Sequence, residues 1–487
     1  MDAKLARLRE SVLQIAGFGC VQAWSFVVLF SGLIHYSLKG EISHLNNVYA
    51  FWCLGVVLLS LSGPVLWRRL LAVVRAVFGW CEARCMKVCV VGAVALLVAA
   101  TCMLVAGEHG HSNRVACSVI SLVSGLGTGL LFWAWGAAFT GDLNRTVAAR
   151  YGASFALGAL LYCLVLQLPA SLGVVITAAL PMVSLACFWG SRTVTRAVEE
   201  RSAVPAHCHH VFVRATVAVG LLGFAESFMR ALFQGTNAVA DPIAYRGGFV
   251  IAAIAAALLV SVTAQARSGA DTVGRVNHVL MLVLAFMFLL SPAVYGLGFA
   301  ADFSTALCFF VFYLLTWTVL TQIAGTYRLS VPVAFGAGLG VAYAGCLAGS
   351  FVGALLTSSG ELGYRLQIVL SLGCACLVFA SFLFVVDERT FVELLDANSE
   401  NPAGPRRFQL RCEQAAQLYG LTPKETEVMM LVAKGRSSQR IQEALGVTAS
   451  TVNTHINHIY RKMDVHGRQD MLDIIEGESL ERTNKMA

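Results

Sequence analysis

The chain has 487 residues, of which 57% are apolar and 13% are charged, and its formal net charge is +7. A mean hydropathy of +0.71 excludes an ordinary soluble globular protein for most of this length. The 15 cysteines are scattered mainly through apolar stretches, which is typical of small apolar fillers and not of a disulfide framework.

Mainly apolar stretches of about 20 residues, the length needed to cross the hydrocarbon core of a bilayer, recur along most of the chain. They predict twelve spans near 12–34, 47–66, 88–106, 115–139, 148–168, 170–189, 211–232, 245–266, 276–296, 303–325, 332–356 and 366–386. The fifth and sixth spans are divided only by the turn around Pro169. The sequence therefore predicts an all-α, polytopic membrane helix bundle.

Lys and Arg are unevenly distributed between the predicted loops, and cytoplasmic loops carry the excess in membrane proteins. With the amino terminus inside, the inner segments before the last span hold 17 basic residues and the outer segments hold five. This bias predicts a multi-pass protein of the inner (plasma) membrane with both termini in the cytoplasm. The opening MDAKLARLRE, followed by an apolar run, is typical of a signal anchor that is retained.

The twelve spans divide into six plus six around the long loop 190–210. This layout resembles the major facilitator superfamily, whose two six-helix halves surround a central cavity. The loop after the second span, from Gly63 to Arg69, retains the glycine and the basic pair of the family's loop motif but lacks its acidic residue. Because the acidic residue is missing, we have less reason to expect that this chain carries out a transport cycle.

Ionisable residues inside spans are costly and mark functional sites. Glu226 and Arg230 are four residues apart in the seventh span and can pair on one helical face. They predict either a small-molecule recognition pair facing the outer half of a cavity or a structural ion pair that ties span seven to a neighbour. Candidate lining residues of the same cavity, each with helix packing as the alternative, are Trp133, Trp135, Trp317 and Gln322.

Residues 207–210 are HCHH, and each of these side chains could bind a metal ion. Four adjacent residues are too crowded to form one tetrahedral site, so no metal site is expected there. No set of nucleophile, base and oxyanion donors is visible in the sequence either. We therefore expect no enzymatic activity and no cofactor.

The composition changes abruptly after the last span. A membrane domain at 1–386, the expected sensor, is followed by a cytoplasmic linker at 387–407, rich in Pro, Gly and Asn, and a soluble domain at 408–487. In the soluble domain, Thr422 to Glu425 form a capping box with Pro at the first helical position, which starts a helix. Two further helices, capped by Ser437 and Thr448 and joined by a short turn with Gly446, complete a helix-turn-helix pattern.

The third of these helices is the predicted recognition helix. A period of about 100° per residue places Val452, Ile456, Ile459 and Met463 on a core-facing stripe. The opposite face carries the polar residues Ser450, Asn453, Thr454, Asn457 and Arg461. Side-chain amides pair with adenine edges and arginine pairs with guanine, so this face predicts readout of double-stranded DNA in the major groove.

The motifs LTPKE, the GRS turn and STVNTHI-x-HIYRKMDVHGRQD resemble the LuxR-type helix-turn-helix family over about a tenth of the chain. The resemblance implies base contacts by Asn453, Thr454 and Asn457. It also implies backbone contacts, or support of the recognition helix, by Ser437, Thr451 and His455, and a phosphate-side role for Lys462. Binding as a homodimer to two half-sites is expected for this motif class.

These features predict a membrane-bound one-component transcription regulator that senses an unknown small molecule through its spans. The alternative is a facilitator-type transporter with an autoregulatory DNA-binding tail. The ligand, the operator and the sign of regulation do not follow from the sequence.

Overall fold

The computed structural model describes most of the chain as two compact units, residues 1–395 and 396–487. The described residues are 2–30, 42–78, 82–106, 114–140, 146–191, 209–233, 242–265, 272–295, 297–326, 331–358, 362–381, 412, 415–416, 418–433, 441–442, 445, 448–465 and 467–476. Ser437 and the predicted linker 387–407 lie outside these residues.

The first unit is a bundle of long helices, as the apolar stretches predicted. Its described helices are α1 (Asp2–Phe30), α2 (Ile42–Phe78), α3 (Glu82–Ala106), α4 (Arg114–Thr140), α5 (Val147–Gln167), α6 (Ala170–Gly190), α7 (His209–Phe233), α8 (Pro242–Gln265), α9 (Thr272–Val294), α10 (Phe299–Thr326), α11 (Val331–Thr357) and α12 (Tyr364–Ala380). Among the described residues, ten helices are long and apolar enough to cross a membrane. Two shorter apolar segments, Tyr49–Ser62 and Tyr364–Ala380, account for the remaining two predicted spans.

Two predicted boundaries illustrate what hydropathy measures. The turn at Pro169 separates α5 from α6 as predicted, because Leu168 adopts an extended conformation ahead of the proline. The predicted inner loop from residue 67 is helical instead, since α2 continues to Phe78. Hydropathy marks the part of a helix that suits lipid, whereas backbone hydrogen bonding continues the helix beyond it.

Glycines allow close approach between several described helices of this unit. An added Cβ at Gly125 of α4 would lie 2.1 Å from the Trp52 carbonyl oxygen of α2. The same addition at Gly345 of α11 would lie 2.0 Å from the Gly220 carbonyl oxygen of α7. Close backbone approach at small residues is how helices commonly pack in lipid.

Aromatic side chains fill the contact between the first six helices and the last six. Phe18 of α1 contacts Trp317 of α10 with ring centroids 4.8 Å apart, and Phe132 of α4 approaches the same indole to 5.3 Å. Trp52 of α2 meets Tyr343 of α11 at 5.5 Å. A hydrogen bond of 2.7 Å between the Tyr151 and Thr321 hydroxyls adds a polar tie between α5 and α10.

The second unit is a small helical domain. Its long described helices are α13 (Pro423–Ala433), α14 (Ala449–Met463) and α15 (Arg468–Glu476). Buried apolar residues from each helix form one core with Cys412, Ala415, Ala416 and Ile441. Gly420 has a φ of +61° at the turn before α13, a left-handed conformation that favours glycine.

Candidate functional site

Glu226 and Arg230 form the predicted ion pair within α7. The Arg230 Nε donates to Glu226 Oε1 at 3.3 Å, and the two side chains are 9% and 1% exposed. Ser227 completes the cluster, because its hydroxyl donates to Glu226 Oε2 at 2.9 Å and accepts from Arg230 Nη2 at 3.3 Å. Each buried charge therefore has partners on its own helix, which makes its burial tolerable.

Arg230 also reaches the other half of the bundle. Its guanidinium carbon lies 4.2 Å from the ring centroid of Tyr49 on α2, within the range of a cation–π contact. Tyr49 is buried and stacks on Trp52 at 6.3 Å. We call these four side chains, Glu226, Ser227, Arg230 and Tyr49, the α7 cluster. The α7 cluster joins the two halves of the bundle.

Two small cavities adjoin the α7 cluster, and both are lined by Arg230 and Thr305. One is walled by Phe30, Phe249, Asp302, Ala306 and Phe309, and the other by Glu226, Met229, Phe233, Ser291 and Cys308. Each has an accessible volume of about 10 Å³, which is room for about one water molecule. A larger ligand requires the surrounding helices to move apart.

The other predicted lining residues are buried elsewhere in the bundle, and none of the four lines these two cavities. The Trp135 indole donates to the Ser184 hydroxyl of α6 at 3.0 Å, so it ties two helices of the same half. Trp317 lies in the aromatic contact between the halves. The buried Trp133 Nε1 and Gln322 Nε2 make no hydrogen bond to the part of the chain that the structure describes.

Helix α14, the predicted recognition helix, presents the two faces that its periodicity predicts. Val452, Ile459 and Met463 are buried in the domain core, with Ile456 packed against them. The polar residues on the other side are exposed, namely Ser450, Asn453, Thr454, Asn457 and Arg461. Thr451 is exposed and His455 is half-buried.

Caps define both ends of α14. The Thr448 hydroxyl accepts from the Thr451 amide at 3.4 Å, as the predicted capping role requires. At the other end, Asp464 adopts a left-handed φ of 52°, and its amide donates to the Tyr460 carbonyl. The caps limit the exposed polar face to about four turns of helix.

The predicted capping box at the start of α13 is present. The Thr422 amide donates to Glu425 Oε2 at 2.8 Å, and the Glu425 amide donates to the Thr422 hydroxyl at 3.3 Å. The Glu425 carboxylate also accepts from the Lys462 ammonium of α14 at 2.7 Å, so one acid links the two helices. Burial opposes ionisation of Glu425, but these hydrogen bonds outweigh it and lower its pKa from 4.5 to about 2.

Lys462, for which the family resemblance implies a phosphate-side role, also has partners within the domain. Its ammonium contacts Glu425 and the Gly420 carbonyl oxygen, at 3.2 Å, while the side chain stays 33% exposed. In this geometry it positions α14 against α13 from within the domain.

Sequence reasoning missed three contributors to these sites. Ser227 was detectable, because it lies beside Glu226 on the polar turn of α7. Tyr49 carried no local signal, since it belongs to a different helix and half. Glu425 was recognised as a cap, but its tie to Lys462 spans 37 residues of sequence and depends on the packing of two helices.

Comparison with known proteins agrees with the division into two units. Residues 420–475 match the family model of bacterial regulatory proteins, luxR family. The response regulator protein VraR of Staphylococcus saprophyticus is 44% identical over 63 residues, and that of Staphylococcus aureus is 42% identical over the same length. These matches cover 13% of this chain and 30% of each relative, so the chain spans less than a third of the length of these relatives.

The membrane unit resembles solved transporters in fold alone. A bacterial homologue of the iron transporter ferroportin, in an outward-facing state with soaked iron, has a TM-score of 0.53 at 13% identity. The alignment covers 78% of this chain and 99% of that one, and a second structure of an outward-facing ferroportin homologue has a TM-score of 0.50 at 13% identity, covering 78% and 98%. The chain therefore joins a multi-pass membrane bundle, with the fold of these transporter structures, to a segment at residues 420–475 that matches the luxR family of bacterial regulatory proteins.

Proposed function

We propose that this protein is a membrane-bound one-component transcription regulator. The observation that carries the proposal is the exposed polar face of α14, within a LuxR-type domain that follows a transporter-like membrane bundle. The bundle acts as the sensor of a small molecule, and the second unit acts on DNA. Neither role requires an enzymatic step.

DNA recognition is assigned to the exposed face of α14. Asn453 and Asn457 present amides suited to adenine edges, Arg461 suits guanine, and Thr454 lies between them. Ser437, Ser450, Thr451 and His455 are proposed to contact the backbone or to support the helix. The second unit has no large excess of basic residues, so bulk charge contributes little to its affinity for DNA. The affinity comes instead from the positions of the contacting side chains and from two copies binding adjacent half-sites.

The proposed topology places both termini in the cytoplasm, with the bundle in the inner (plasma) membrane. The basic bias of the loops supports this orientation, and DNA access requires it. Residues 387–407 then act as a linker between the bilayer and the DNA-binding domain. In this orientation the α7 cluster lies in the outer half of the membrane.

The proposed sensing site is the α7 cluster, because it is charged, buried and shared by the two halves. A ligand that binds there with different affinity in two arrangements of the halves shifts the balance between them. That shift changes the exposure or pairing of the DNA-binding domains. Trp133, Trp317 and Gln322 lie away from the two cavities and belong to the moving core in this scheme, whereas Trp135 holds α4 to α6.

The first test is a genome-wide footprint of the full-length protein in its native membrane. Discrete sites that disappear in an Asn453→Ala/Asn457→Ala double mutant are expected, since each lost amide contact costs about 1–3 kcal/mol of discrimination. A Glu427→Ala variant, which alters an exposed side chain of α13, serves as the matched control and retains the sites. A protein that occupies no site under any growth condition is not a regulator of this kind.

Transport is the second candidate, favoured by the fold of the bundle. It predicts accumulation of a substrate in vesicles that persists after deletion of residues 397–487 and disappears in Glu226→Gln and Arg230→Gln variants. Retention of DNA footprints without accumulation supports regulation alone.

A further inference from the structure

The α7 cluster is electrically balanced. One carboxylate and one guanidinium face each other on α7, with Ser227 bridging them. A buried charge that loses its partner is strongly destabilised in lipid. Any ligand bound at this site must therefore leave both the carboxylate and the guanidinium paired with an opposite charge.

The cluster retains unused hydrogen-bond donors. A guanidinium carries five N–H groups, and the hydrogen bonds of Arg230 engage its Nε and Nη2. Its Nη1 donates to none of the residues described by the structure. The Tyr49 hydroxyl is buried, with the residue 4% exposed, and its nearest polar neighbours include the thiols of Cys53 and Cys346, which are weak hydrogen-bonding groups. Because buried hydroxyls are normally bonded to strong partners and Arg230 lines both cavities, these two side chains are suited to an acceptor oxygen from outside the protein.

The surroundings of Arg230 specify the rest of the ligand. Phe30, Phe249 and Phe309 wall one adjoining cavity, and their ring centroids lie 5.5–6.1 Å apart. Asp302 lines the same cavity and already has an interaction partner. The aromatic walls therefore favour a ligand with an apolar body.

We propose that the α7 cluster binds a small molecule without net charge, whose acceptor oxygen contacts the open edge of Arg230 and the Tyr49 hydroxyl. The oxygen belongs to an uncharged carbonyl group or to the carboxylate of a zwitterion, whose ammonium then pairs with Glu226. A simple anion displaces Glu226 without replacing its partner, and a simple cation does the same to Arg230. This ligand class rests on the proposed sensing function and makes it specific.

The cavities also explain how binding is coupled to movement. Each holds about one water molecule, so a ligand with an apolar body enters only when Phe30 separates from Phe249 and Phe309. Phe30 belongs to the first half, whereas the other two belong to the second. Ligand entry thus opens the contact between halves at the end where Arg230 meets Tyr49.

The test uses four probes that share one apolar side chain but differ in charge. N-acetyl-leucinamide is uncharged, leucine is a zwitterion, isocaproate is an anion and leucinamide is a cation. The thermal unfolding midpoint of the full-length protein in detergent is measured with each probe at fixed pH and ionic strength. The uncharged and zwitterionic probes are expected to raise the midpoint by a few degrees, and the two ions are not.

Two variants sharpen the test. Glu226→Gln gives the cluster a net positive charge, so isocaproate is expected to become the best stabiliser. Tyr49→Phe keeps the ring beneath Arg230 but removes the hydroxyl, and it is expected to weaken binding of the uncharged probe roughly three- to tenfold. Arg365→Gln removes an exposed charge at the start of α12. In this control variant the four probes should rank by their effect on the unfolding midpoint as they do in the wild type.

Three results overturn the ligand class: no probe binds, an ion stabilises the wild type best, or Glu226→Gln leaves the order unchanged. Because binding is measured without DNA, such a result leaves the footprint test of regulation intact. Conversely, if the uncharged probe binds but the protein leaves no footprint on DNA, the proposed ligand class is supported and the proposed function as a transcription regulator is contradicted.

Discussion

Each unit of the protein holds a nearly fully buried glutamate paired with a basic side chain, but the two pairs are built differently. Glu226 and Arg230 are neighbours on one helix, and both are buried. Glu425 is buried, whereas its partner Lys462 belongs to another helix and remains partly exposed. The first pair is local and sealed from water, and the second is long-range and reaches the surface.

The two pairs differ in which other groups their charged atoms contact. In the membrane bundle the ion pair is complete within α7, and the Arg230 guanidinium also lies over the Tyr49 ring of α2. In the DNA-binding domain the carboxylate serves as helix cap and as anchor of α14, which leaves it no spare acceptor role. One pair is suited to a change of state and the other to a fixed geometry.

The largest effect is expected from breaking the sealed pair. Arg230→Met leaves the Glu226 charge buried without its partner, which costs about 3–5 kcal/mol of stability. A lower unfolding midpoint and poor recovery of the full-length protein in detergent are the measurements.

The double variant Glu226→Gln/Arg230→Met provides the control. It removes both charges and should recover most of the lost stability, because a neutral buried pair has no desolvated charge. Equal loss in the single and double variants would show that packing, not charge, dominates at this site.

A smaller effect is expected at the second pair. Glu425→Gln keeps the capping box, which accepts glutamine, but loses the charge-assisted bond to the partly exposed Lys462. We expect a cost of about 1 kcal/mol in urea unfolding of residues 396–487. Glu427→Gln, at a half-exposed acid paired with Lys424, is the matched control and should change stability by less than about 0.5 kcal/mol.

Acid should erase the difference between the wild type and Glu425→Gln. Because the folded pKa of Glu425 is about 2 and its ordinary value is 4.5, the ionised form stabilises the fold above that ordinary value. This contribution is lost as the pH falls from about 4.5 towards 2. Unfolding curves across that range should converge, and a constant gap between the two proteins would exclude Glu425 as the titrating group.

The smallest effect is expected at the amino-terminal cap of α14. Thr448→Ala removes an acceptor whose bond to the Thr451 amide is long, at 3.4 Å, so a cost near about 0.5 kcal/mol is expected. Thr426→Ala, which removes a hydroxyl that donates to the Thr422 carbonyl at the start of α13, is a suitable comparison. A loss above about 2 kcal/mol would mean that Thr448 supports more of the domain than the first turn of α14.

Much of this architecture was predictable from local patterns. The apolar stretches and the two faces of α14 follow from hydropathy and a 3.6-residue period. The break at Pro169 and the capping box at Thr422 follow from the local backbone chemistry of single residues. The pairing of Glu226 with Arg230 also follows, since residues four apart share a helical face. These features depend on short segments and their solvent, so the sequence by itself determined them.

Other features were decided only by the tertiary structure. Tyr49 lies beneath Arg230 because α2 and α7 meet across the two halves, and Lys462 reaches Glu425 because α13 and α14 pack in one core. The same holds for the aromatic side chains that fill the contact between the halves. No periodic pattern relates residues on separate helices, because shape and volume of the packed side chains choose which of them meet.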